Sequence, residues 1–221
     1  MRRHWTLLLL VTGLALTASA CANESSEDDE EEGSSEGAQT VGGEGIVYFH
    51  GMSKLGFTRT ALRNGLGEKE FLAPSLSDGQ LQATAPQTNV TKFLEAKDSA
   101  IAAGYSLGRA PVVTLMKTEA KHLKRAILID PTYDSYTFGR GVGGDVAKQW
   151  LDGDDDRTFM LVYGDVTVSL GGEKSFKRAL TDHPRAQLCY VPGDHARFRA
   201  DDMTAAIIAK DCDDLKERLT H

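Results

Sequence analysis

Gly104-Tyr105-Ser106-Leu107-Gly108 is a G-x-S-x-G sequence set between an apolar run and a helix-like stretch. That context suits a serine carried on a sharp strand-to-helix turn. Small residues must flank such a turn, the serine backbone is strained, and its Oγ is lifted above the sheet edge. The helix that starts behind it aims free N–H groups at the reacting atoms. Other residues with chemistry to offer follow further apolar runs: His50-Gly51-Met52, Asp130-Pro131, Gly164-Asp165 and Pro192-Gly193-Asp194-His195. A hydroxyl, an imidazole and a carboxylate are the groups that nucleophilic catalysis combines, as nucleophile, proton acceptor and orienting acid. His50, standing before a glycine at the end of a run, reads as a packing and turn residue. His122, His183 and His221 have no apparent partner and receive no role. Cys189 and Cys212 lack the spacing of metal ligands, and no His-rich cluster accompanies them, so neither a metal nor a cofactor is expected.

The elements that must position these groups are legible as continuous apolar runs. Ile46-Val47-Tyr48-Phe49, Ala100-Ile101-Ala102-Ala103, Ala126-Ile127-Leu128-Ile129, Phe159 to Tyr163 and Leu188 to Val191 do not alternate with polar residues. Strands of this kind are covered on both faces. Phe71-Leu72 is a weaker candidate. Helical stretches are expected at Thr58 to Asn64, Val90 to Ala96, Val112 to Leu123, Val146 to Leu151 and Ser175 to Leu180. A last helix is expected from the one-sided pattern Met203, Ile207, Ile208, Cys212, Leu215 and Leu219, with Asp201 and Asp202 in its first turn. Alternating strands and helices predict an α/β fold: a mostly parallel central sheet, helices on both faces, right-handed crossovers. In such a sheet a site lies beyond the carboxyl ends of the strands, which is where the groups above fall.

With this motif and order, the chain from Gly45 to its end resembles the α/β-hydrolase family, in a compact form lacking the first two strands. The resemblance implies a serine esterase or lipase-like enzyme. It puts Ser106 on the nucleophile, His195 on the general base, and the oxyanion hole on the backbone N–H groups of Met52 and Leu107. For the acid it leaves two candidates. Members usually carry it as Gly-x-x-Asp after the penultimate strand; here Gly164-Asp165-Val166-Thr167 has Thr167 at the usual place, and Asp165 serves if the loop is shortened. Asp130 is the rival, because some lipases of this fold draw the acid from a similar Asp-Pro setting. Asp165 is preferred. Arg109, where the family often has a small residue, is a second departure. These departures keep open a hydrolase-like protein that binds without catalysing, and an amidase or peptidase on the same fold is a further alternative. The region from Asp130 to Thr158, with Tyr133, Tyr136, Phe138 and the loop Gly139 to Gly144, stands where relatives carry a lid. Its shortness favours an open site and a small or moderate acyl ester as substrate.

The first 44 residues belong to transport. Arg2 and Arg3 precede the apolar stretch Leu7 to Leu16, which is too short to cross roughly 30 Å of hydrocarbon and has the flanks of a signal peptide. Ala18-Ser19-Ala20-Cys21 resembles the lipobox of bacterial lipoproteins, which implies a diacylglycerol on the Cys21 thiol and anchoring to a bacterial membrane, at the periplasmic face or outer membrane. Cleavage to an ordinary secreted protein is the alternative, and twin-arginine export rests on Arg2-Arg3 alone. Residues 1–20 are thus read as signal peptide, 21–44 as a lipidated cysteine with a disordered tether, and 45–221 as one domain. The tether holds the acidic block Glu27 to Glu32 and almost no apolar surface, so nothing offsets its ordering entropy. Of the 32 acidic and 25 basic residues, nine and two fall within residues 1–44, leaving 23 of each beyond Glu44. A domain so balanced, without a basic stripe, argues against nucleic-acid binding. Export to an oxidising compartment would let Cys189 and Cys212 pair, although both also suit simple burial.

Overall fold

The computed structural model describes residues 42–52, 59–67, 69–131 and 143–220. The expected signal peptide, the lipidation site Cys21 and the acidic block lie outside the described residues, as do Tyr133, Tyr136 and Phe138 of the lid region.

Six described strands form one sheet: β1 (Glu44–Phe49), β2 (Glu70–Leu72), β3 (Ser99–Tyr105), β4 (Leu123–Ile129), β5 (Thr158–Tyr163) and β6 (Ala186–Tyr190). Their order is β2-β1-β3-β4-β5-β6 and every pairing is parallel. All five strong apolar runs and the weaker Phe71-Leu72 are strands. Alternate residues leave the sheet on opposite faces, and both faces are buried. Val47, Phe49, Ala102, Leu128, Phe159 and Leu161 join one core cluster, while Ile46, Tyr48, Ile101, Ile127, Met160 and Val162 join the other. Each such aliphatic or aromatic side chain contributes roughly 1.5–3 kcal/mol on burial, which explains runs without polar alternation.

The chain leaves β1 for β2 on one side, then returns past β1 to β3 and continues to β6. The direction therefore reverses between β1 and β3, and the crevice at such a switch point is where open α/β sheets place ligands. The G-x-S-x-G turn ends β3 and His50-Gly51-Met52 ends β1, so the two segments face this crevice.

Helices α1 (Arg59–Leu66), α2 (Asp78–Leu81), α3 (Thr88–Glu95), α4 (Arg109–Lys117), α5 (Gly143–Asp152), α6 (Asp165–Leu170), α7 (Lys174–Leu180), α8 (Ala200–Ile208) and α9 (Cys212–Leu219) complete the described elements. Two differ from the sequence expectation in a way that matters. The helix expected to reach Leu123 stops at Lys117, because Glu119 and His122 take positive φ and turn the chain so that Leu123 opens β4. The single C-terminal helix is two, α8 and α9, broken where Ala209 becomes extended. Asp211 restarts the helix by accepting the N–H groups of Asp213 and Asp214. A disulfide joins Cys189 of β6 to Cys212 at the first turn of α9.

Candidate active site

Ser106 stands in a 3₁₀ turn, Ser106–Gly108, between β3 and α4. Its φ is +52°, a region that an unbranched L-residue enters at a cost of about 1–2 kcal/mol. Close packing enforces the turn. A Cβ on Gly104 would lie 2.2 Å from the Gly108 carbonyl oxygen, and one on Gly108 would lie 2.1 Å from the carbonyl oxygen of Phe49. The two motif glycines thus let the turn sit against the end of β1. Leu107 is buried in the turn, and Met52, just beyond β1, has an exposed side chain.

His50 fixes the loop that carries Met52. Its ring is fully buried; Nε2 accepts the N–H of Leu76 at 3.0 Å and Nδ1 meets the Gly51 carbonyl at 2.6 Å. An Nε2 acceptor leaves the ring proton on Nδ1, so Nδ1 donates to that carbonyl. His50 does structural work, as the sequence suggests.

The acid facing His195 is Asp130, and the preference for Asp165 is corrected. Asp130 follows β4, is fully buried and takes φ of +44°, which a short polar side chain tolerates better than most. Its Oδ2 lies 2.6 Å from His195 Nδ1, while Oδ1 accepts the Gly164 N–H at 2.9 Å and the Thr167 hydroxyl. Burial pushes this carboxyl up, but the hydrogen bonds from His195, Thr167 and Gly164 outweigh it and hold it below its ordinary value. Asp130 is therefore an anion at neutral pH, set to accept the Nδ1 proton and keep Nε2 open as a base. Thr167, the residue found where relatives usually carry the aspartate, instead steadies the carboxylate that arrives from β4.

Asp165 has different work. Its Oδ2 accepts the Gly193 N–H at 3.0 Å, its own N–H donates to the Gly193 carbonyl at 3.0 Å, and the Tyr190 hydroxyl donates to its Oδ1. It buttons the loop that leads to His195 without meeting the imidazole.

Sequence reasoning missed Tyr105. Its ring stacks on that of His195, with centroids 4.8 Å apart and planes 17° from parallel, and its hydroxyl donates to the His195 carbonyl at 2.6 Å. Burial, with the carboxylates of Asp130 and Asp194, pushes the phenol far above its ordinary value, so it remains a donor. The imidazole is thus held against the residue that directly precedes Ser106. An aromatic inside the G-x-S-x-G sequence was the available signal. Arg109 is buried at the start of α4.

No family model matches the chain, and no curated protein matches it. Among solved structures the chain is similar to Est1E from Butyrivibrio proteoclasticus, with 14% identity over 84% of this chain and 92% of that one and a TM-score of 0.44. It is also similar to FphF, the fluorophosphonate-binding serine hydrolase F of Staphylococcus aureus, with 13% identity over 77% and 84% and a TM-score of 0.48. A third is the enterobactin esterase FES from Shigella flexneri, with 13% identity over 83% of this chain and 54% of that one and a TM-score of 0.46.

Proposed function

We propose that this chain is a serine hydrolase of the α/β-hydrolase type that cleaves a carboxylic ester through an acyl-enzyme at Ser106. One observation carries the reading: the imidazole of His195 is bonded to the buried Asp130 and stacked on Tyr105, next to a serine held at positive φ. His195 Nε2 takes the Ser106 proton as Oγ attacks the ester carbonyl. The N–H groups of Leu107 and Met52 receive the oxyanion, an interaction of which one donor is typically worth about 3 kcal/mol of barrier. Collapse breaks the ester C–O bond, and His195 returns its proton to the departing alcohol. Water, deprotonated by His195, then attacks the acyl group and releases the carboxylic acid with Ser106 restored. The substrate class is a small or moderate acyl ester.

A fluorophosphonate probe, which labels only activated serines, tests this directly. The wild-type chain takes the label and Ser106→Ala does not. Equal resistance in both proteins leaves a binding protein of the same architecture. Faster turnover of matched p-nitroanilides than of p-nitrophenyl esters would instead mark an amidase.

The chain is further proposed to be exported and anchored by lipid at Cys21. The sequence Ala18 to Cys21 supports this, as does the Cys189–Cys212 disulfide, since such bridges persist mainly in oxidising compartments. Palmitate supplied to expressing cells labels the wild-type chain, and a Cys21→Ser chain that still takes up label refutes the anchor.

A further inference from the structure

We infer that Tyr105 is a positioning residue for the base: it holds the His195 imidazole at the distance and tilt that proton transfer from Ser106 requires. The inference rests on the proposed hydrolase reading and adds to it a residue outside the serine, histidine and acid. His195 lies in a short 3₁₀ turn, His195–Arg197, whose residues are exposed or half-buried, so its own element gives it little packing. Asp130 fixes one ring nitrogen, which leaves the ring free to swing about that bond. Tyr105 removes this freedom by two contacts of different kinds. The stacked ring sets the plane of the imidazole, and the hydroxyl, by bonding the His195 carbonyl, sets the backbone from which the imidazole springs. Tyr105 is itself immobile, 1% exposed and packed at its edge on Phe198. Because Tyr105 and Ser106 are consecutive, the same stretch of backbone that presents the nucleophile also presents the surface against which its base is set. Nucleophile and base are thereby registered to each other through one peptide unit and not through the whole sheet.

Two substitutions separate the contacts. Tyr105→Phe keeps the stacked ring and removes the hydroxyl; Tyr105→Leu removes both. With folding checked by circular dichroism, Tyr105→Leu is expected to lower kcat about 100-fold, the scale of a misplacement of about 1 Å, with KM within about threefold of wild type. Tyr105→Phe recovers most of the loss and stays about fivefold below wild type, the share of one hydrogen bond. The second-order rate of fluorophosphonate labelling falls in parallel with kcat. A folded Tyr105→Leu protein that labels and turns over at wild-type rate overturns the inference while the hydrolase reading stands. So does a fall that appears in KM alone. Should the leucine variant fail to fold, wild-type kcat in Tyr105→Phe overturns it. A wild-type chain that never labels removes both readings together.

Discussion

Asp130 is where the residue scale is most informative, because one carboxylate collects His195, Thr167 and the Gly164 N–H. Asp130→Asn is expected to lower kcat about 10⁴-fold with KM little changed, since an amide no longer selects the tautomer that leaves Nε2 free. Asp165→Asn, whose side-chain oxygen can still accept from Gly193, costs roughly tenfold or less. A large loss confined to Asp165→Asn reverses the assignment. The lowered carboxyl also gives acid behaviour a definite sign. Its contribution to stability is complete above the unfolded value of about 4 and is lost as pH falls through the lower folded value. Denaturant titrations from pH 6 downward therefore fall less steeply below pH 4 in Asp130→Asn than in wild type. Sequence offered both aspartates and could not choose between them. Each ends a strand, and the choice depends on where a side chain at φ of +44° points, which spacing alone does not encode. Thr167 at the usual acid position was the hint that the acid had moved.

Elements were easier to read than residues, and the reason is burial on both faces. Runs such as Ile127-Leu128-Ile129 have no polar side to hide, so each strand announces itself. Helix limits were harder. The pattern Met203 to Leu219 keeps one apolar side across the break at Ala209, and periodicity cannot show that the backbone leaves the helix there; Asp211 as a cap was the local sign. The four-residue α2 was missed although Ser77 and Gln80 make a reciprocal capping box. The turn between β3 and α4 makes the element-scale prediction. Gly108→Ala drives a methyl to 2.1 Å from the Phe49 carbonyl oxygen, where backbone must move. We expect a loss of about 3 kcal/mol or failure to fold, read by chemical denaturation. Gly79→Ala in α2, with open space around its Cβ, is the control and leaves stability unchanged or slightly higher. Equal effects at both positions would mean that the close approach to β1 does not constrain the turn.

For the whole molecule, charge and chemistry are separated along the chain. The acidic excess lies in the first 44 residues, and the sheet that follows is balanced, so the sequence alone told tether from domain. The pairing of Cys189 with Cys212 was not legible, because two apolar-run cysteines are equally consistent with burial until the fold brings β6 beside α9. Closing a loop of this length restricts the unfolded chain by about 3 kcal/mol. The bridge has another consequence, which is topological. His195 lies between the two bonded cysteines, so the base sits on a covalent ring, and exposed Arg199 offers a protease a cut within it. A chain nicked there keeps its mass in an unreduced gel and sheds its C-terminal piece only once thiol is added. Severed at that point, the molecule still holds both ends of its histidine segment.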